Sequence, residues 1–240
     1  MSQPRLHVFT DDALGTCDAT ELAQQLAQGG VSASEVTEAA IARLERAAPL
    51  NGLTLAAFDS ARQRAKQNAF SGRFAAVPSL IKDNIDIEGL ATLHGSAAMG
   101  HKPMKKTSAL AKQYLAQGFN LLGKSSLPAF GFTASTEMAH SPATRNPWHL
   151  AHSAGGSSGG SAALVAAGRP EDQPVALVRV DLHHVAIPLR IRLLELFQPL
   201  APLGCHLVSV IGAILPAHLD READVPQAQW RGVIRMAGHH

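Results

Sequence analysis

Between Gly155 and Ser161 the chain reads Gly-Gly-Ser-Ser-Gly-Gly-Ser, and Ala162-Ala163-Leu164-Val165-Ala166-Ala167-Gly168 follows at once. Glycines at this density let the backbone take angles that other residues resist. The small apolar run predicts a tightly packed helix whose N-terminus points back at the glycine loop. Such a loop, built from Gly155, Gly156, Ser158 and Gly159, suits an anion or a developing oxyanion, because free backbone N–H groups and the helix dipole favour negative charge. Other readings compete. A phosphate loop needs Gly-Lys-Ser/Thr at its end, and no lysine follows Gly160. A nucleophile elbow, G-x-S-x-G, is matched by Gly156, Ser158 and Gly160, but it needs a strand just before it, and Asn146 to His152 is a poor strand. A flexible linker is disfavoured by the packed helix that follows.

A second candidate is Lys82, in Pro78-Ser79-Leu80-Ile81-Lys82-Asp83-Asn84. A lone lysine reads as a solvated surface cation. This one closes an apolar strand and precedes Asp83-Asn84, which reads as a held amine. Burial disfavours the ammonium, so a lysine in such a place is shifted toward the neutral amine.

These two segments stand in order with Leu122-Gly123-Lys124-Ser125-Ser126-Leu127-Pro128-Ala129-Phe130-Gly131 and Ala143-Thr144-Arg145-Asn146-Pro147-Trp148. Together they resemble the amidase signature family over about residues 18–168. The resemblance implies hydrolysis of a carboxylic amide C–N bond by a Ser–Ser–Lys triad, with no metal and no organic cofactor. It implies Lys82 as the base, and Ser157, after a cis peptide bond, as the relay between lysine and nucleophile. It implies a small-molecule amide as the partner, with transamidation subunits that act on charged tRNA as a lesser alternative. The family's nucleophilic serine should lie about two dozen residues after Ser157, in a Gly-Gly-Ser segment. Position 181 is Asp181, within Val180-Asp181-Leu182-His183-His184, and the only serine beyond Gly168 is Ser209. Asp181 without that glycine-built oxyanion hole would forgo about 2.7–4 kcal/mol per donor, which speaks against it as a substitute.

The elements that must position Lys82 and Ser157 are readable up to Gly168. Helical spacing runs from Thr20 to Gln28 and stops at Gly29-Gly30. Ser32-Ala33-Ser34-Glu35 is a capping-box pattern, followed by an apolar stripe of Val36, Ala39, Ala40, Ile41 and Leu44, with Pro49 closing. Strands are predicted over Leu53–Phe58, Val77–Asn84 and Gly118–Lys124. Helices are predicted from an Asp59 cap to Phe70 and over Ser108–Gln117. The alternation predicts an α/β domain: an incomplete amidase-signature fold with a mixed β-sheet core and flanking helices.

The 240 residues are 46% apolar and 17% charged, with 21 basic and 19 acidic side chains, so a globular protein is expected rather than a disordered one. A net charge of +2 argues against nucleic-acid or membrane-surface partners. No apolar leader follows Met1, and the stretch from Leu207 to Ala217 falls short of the ~20 residues that cross a bilayer. Cys17 and Cys205 form no CxxC, and the cytoplasm is the expected compartment.

Composition changes abruptly at Gly168. Residues 1–168 hold 16 Ser, 10 Thr, 5 Asn and 7 Lys, whereas residues 169–240 hold one Ser and no Thr, Asn or Lys. The same 72 residues carry 7 Arg, 7 Pro and 6 His. Folded domains keep their turn and capping residues. The expectation is therefore a family domain over 1–168 and a tail over 169–240 produced by a change of reading frame near codons 168–172, which leaves the chain truncated and catalytically incomplete. The tail's histidines, His183, His184, His206, His218, His239 and His240, show no metal-ligand spacing. Val175–Val180 is its one strand candidate and Leu189–Phe197 its helix candidate.

Overall fold

The computed structural model describes residues 5–168. Helix α1 (Ala19–Gln28) opens on a capping box: the Asp18 carboxylate accepts from the Thr20 and Glu21 amides, and Glu21 accepts from the Asp18 amide. It ends on Gly29 in the left-handed region (φ 73°). Helix α2 (Ala33–Arg46) has the box expected of Ser32 and Glu35, with Ser32 Oγ accepting from the Glu35 amide at 3.2 Å. A 3₁₀ turn, Ala48–Leu50, carries Pro49.

Next come β1 (Leu53–Ala56), α3 (Phe58–Gln67), β2 (Pro78–Lys82), α4 (Ala109–Leu115), β3 (Asn120–Ser125), β4 (Arg145–Asn146), β5 (His149–Ser153) and α5 (Gly159–Ala167). Strands β1, β3 and β2 form a mixed sheet in that order; β3 pairs antiparallel with β1 and parallel with β2. Lys82 is registered against Ser125. Strands β4 and β5 form a separate hairpin. The α/β reading holds among the described residues.

Three expectations are corrected. Asp59 does not cap α3: Ala57 holds the cap position, with no side-chain bond, and the helix ends at Asn68 in the left-handed region rather than at Phe70. Phe58 belongs to α3, not to β1. Asn146 to His152, a poor strand by its sequence, does contribute to a strand: β5 is built by backbone pairing with β4 around Pro147-Trp148, although its side chains do not alternate in burial. The strand and helix candidates over 175–180 and 189–197 lie outside the described residues.

Period-two alternation along the sheet divides its packing. Ile81 and Leu121 join Ile87 and Ala111, against α4. Leu80 and Leu122 pack with Ala40, Ile41 and Ala61, from α2 and α3. Buried Asn120 ties β3 to α2 and α3, donating to Thr37 Oγ1 (2.9 Å) and the Ala61 carbonyl (3.1 Å), and accepting from Arg64. Helix α5 buries Ala163, Leu164 and Ala167 against Ala47, Leu50 and Val8. Arg43 closes that corner: it donates to both Asp12 carboxylate oxygens (2.8 and 2.6 Å) and to the Gly168 carbonyl (2.9 Å).

The first turn of α5 lies directly on the loop after β3. The Gly160 amide donates to the Ser126 carbonyl, and a Cβ on Gly160 would stand 2.5 Å from both the Gly52 carbonyl oxygen and the Ser126 nitrogen. Those neighbours are backbone and cannot move aside. Gly160→Ala is therefore expected to destabilise the chain by about 1–3 kcal/mol, the usual range for overpacking. The urea unfolding midpoint measures it, and an unchanged midpoint would contradict this packing.

Candidate active site

Strand β2 delivers Lys82 at its C-terminal end, on the same side as Leu80 and toward the layer that holds α5. The turn before α5 delivers Ser157. Lys82 Nζ lies 2.7 Å from Ser157 Oγ, joining residues 75 positions apart. The Gly156–Ser157 peptide bond is cis. Lys82 is half-buried, and burial lowers the proton affinity of its amine below the usual lysine value. An ammonium there donates to the serine oxygen; once neutral, the amine presents a lone pair to the serine proton.

The loop residues singled out in the sequence surround Ser157. Gly155 adopts φ 76°, and its carbonyl accepts from both the amide (2.9 Å) and the hydroxyl (2.8 Å) of Thr136. Gly156 lies against the backbone of Ala134 and Ser135. Ser158 is the cap residue of α5 and makes no side-chain cap bond, while Gly159 begins the helix against Thr136 Oγ1. Gly160 spends its amide on Ser126, and Ser161 Oγ is 2.6 Å from Ser125 Oγ on β3. The glycines at 159 and 160 are thus explained by close packing against Thr136 and Ser126.

A fully buried ion pair sits beside Lys82. Asp83 and Lys124 are each 0% exposed, with Nζ 3.4 Å from Oδ1. Lys124 also donates to the Ala91 carbonyl and to Thr92 Oγ1, both at 2.6 Å, and Asp83 accepts from the Leu93 amide. Burial pushes the Lys124 ammonium down and the Asp83 carboxyl up, and the attraction between the two opposes both shifts. The Asp83 backbone receives the His94 amide and donates to Ser125. The pair therefore anchors the end of β2, β3 and the segment 91–94 around one point. His94 in turn stacks on Phe130, with centroids 6.0 Å apart, next to Gly131. A Cβ on Gly131 would be 3.8 Å from Ser157 Oγ.

The sequence pointed to Lys82 and Ser157, and the structure brings them together. It did not single out Thr136, which lies in the polar run Thr133-Ala134-Ser135-Thr136 and reads as loop. Nor did it give the Asp83–Lys124 contact, although both residues lie inside the quoted motifs. Asp181 and Ser209 lie outside the described residues.

A protein-family profile described as Amidase matches residues 35–170. The chain belongs to the amidase signature family. AmiC of Mycobacterium leprae (strain TN), an amidase by name, is 47% identical over 165 residues, 68% of this chain and 35% of that protein. A glutamyl-tRNA(Gln) amidotransferase subunit of Thermoanaerobacter pseudethanolicus is 36% identical over 154 residues, 61% of this chain and 32% of its own length. Among solved structures, 6-aminohexanoate cyclic dimer hydrolase complexed with substrate superposes with a TM-score of 0.59 at 37% identity, covering 63% of this chain and 32% of that one. This amidase-family chain spans about a third of the length of the curated relatives it matches.

Because the folded state holds the Lys82 proton less tightly than the unfolded chain does, it binds fewer protons below the ordinary lysine value of 10.5. Stability contributed at this residue therefore rises as pH climbs toward that value. Lys82→Met removes the dependence. The variant is expected to be more stable than the wild type at neutral pH, with the gap closing as the pH nears 10.5. Urea midpoints of both chains over a pH series check this; a variant that is less stable at neutral pH would refute a buried, strained ammonium.

Proposed function

We propose that this chain descends from a hydrolase of carboxylic amides and keeps that enzyme's proton-relay pair. The observation that carries the reading is the 2.7 Å contact between Lys82 Nζ and Ser157 Oγ. In this reading neutral Lys82 takes the proton of Ser157, and Ser157 takes the proton of a serine nucleophile as that oxygen attacks the amide carbonyl. The proton then returns to the leaving amine by the same path. No metal and no organic cofactor is required. In this reading the loop at Gly155, Gly156, Ser158 and Gly159 would face the substrate.

We further propose that this chain lacks the nucleophile. Its position in the family pattern falls at Asp181, and the lone later serine, Ser209, has no flanking glycines. The composition break at Gly168 supports a changed reading frame as the cause. Without the covalent step the chain does not turn over amide and at most binds small amides weakly. Domain limits of 1–168 and 169–240 follow from the same break, and the cytoplasm is the proposed compartment.

A serine-directed fluorophosphonate probe is expected to leave the chain unlabelled while labelling an intact relative in parallel. Label recovered on any serine would sink the inactive reading. Coding DNA over codons 160–240, read in all three frames, is expected to show Gly-Gly-Ser in another frame near codon 181. If no frame contains it, the tail is the authentic continuation.

A further inference from the structure

Thr136 is fully buried and touches the Ser157 turn from both sides. On one side its amide and its hydroxyl both donate to the Gly155 carbonyl, at 2.9 and 2.8 Å, two residues before Ser157. On the other side Gly159, two residues after Ser157, packs on Thr136 Oγ1 so closely that a Cβ there would run into the oxygen. Thr136 is itself held: its carbonyl accepts from the Thr144 amide at 2.9 Å, and Thr144 donates to the Asn51 carbonyl at 2.9 Å. Ser126 Oγ lies 2.8 Å from Thr144 Oγ1, which ties the same support to the end of β3.

We propose that Thr136 is a positioning residue for Ser157. It grips the turn at Gly155 and Gly159 together, and so keeps Ser157 Oγ on Lys82 Nζ. This inference rests on the reading of Lys82 and Ser157 as a relay pair. The hydroxyl matters for two reasons. It supplies the second donor to a partly buried carbonyl in a left-handed turn, which without it keeps only the Thr136 amide. Its oxygen also lies against a residue without a side chain, and a Cβ at position 159 would run into it.

The test is the pH profile of Lys82 reactivity in the full-length chain. Trace acetylation with acetic anhydride across the lysine titration range is read by peptide mass spectrometry at Lys82, at exposed Lys105 and Lys106, and at buried Lys124. In the wild type, Lys82 should react at lower pH than Lys105 and Lys106. A Lys82 profile equal to theirs would overturn the relay reading, and this inference with it. Thr136→Val should loosen the turn, admit water, and raise the Lys82 midpoint by about one pH unit, a roughly tenfold loss of neutral amine on its acid side. Lys124 should stay protected, because it lies in a different cluster. Thr136→Ser, which keeps the hydroxyl, should return Lys82 to the wild-type profile. An unchanged profile in Thr136→Val with a lowered wild-type midpoint overturns the role of Thr136 alone, and so does a Thr136→Ser profile shifted as far as that of Val. If Thr136→Val exposes Lys124 as well, the fold has gone. The serine variant then decides: a wild-type Lys82 profile with Lys124 protected supports the inference, and a shifted one overturns it.

Discussion

A half-buried amine held 2.7 Å from a serine hydroxyl is the constraint around which this structure is arranged. A lysine loses solvation when it is placed there, so the position must be enforced by its surroundings. Strand β2 fixes the amine's height by pairing with β3, and Lys82 falls in register with Ser125. Helix α5 fixes the serine, because its first turn is docked on Ser126 and its small residues fill the corner formed by Leu50, Ala47 and Val8. Neither element alone would make the contact. The mixed sheet and the packed helix are the two arms that bring it together.

Much of this was legible before any coordinate. Capping at Ser32, the end of α1 at Gly29 and the apolar strands at β2 and β3 rest on local chemistry, which a sequence displays directly. Four ordered motifs sufficed to join Lys82 to Ser157. What escaped has a common cause. Thr136 bonds through both its amide and its hydroxyl to a carbonyl 19 positions away, and no periodicity announces such a contact. Strand β5 exists because β4 pairs with it, while its side chains give no alternation to read. At α3 the cap falls to Ala57, which has no side-chain acceptor, while Asp59 lies in the first turn and Ala61 and Ala65 are buried.

The glycine-rich loop illustrates how one pattern serves two demands. Read alone, its glycines suggest room for a ligand. In the fold, those at 159 and 160 are consumed by close approach to Thr136 and Ser126, whereas the one at 155 is set by its φ of 76°. Small residues here are as much a matter of assembly as of chemistry. Family membership rests on the whole set, which is why a chain spanning about a third of its relatives' length is still placed with them.

The buried pair of Asp83 and Lys124 also bears on how such a chain can change over generations. Either partner replaced alone leaves a lone charge in a dry interior, a loss of about 3–5 kcal/mol, comparable to much of a small domain's whole stability. Joint replacement by two neutral residues of similar volume is far milder, but it needs two coincident substitutions. The pair therefore behaves as a ratchet on divergence. Exposed positions such as Lys105 and Lys106 carry no such coupling, whereas a change beside Lys82 is tolerated only when both partners change together.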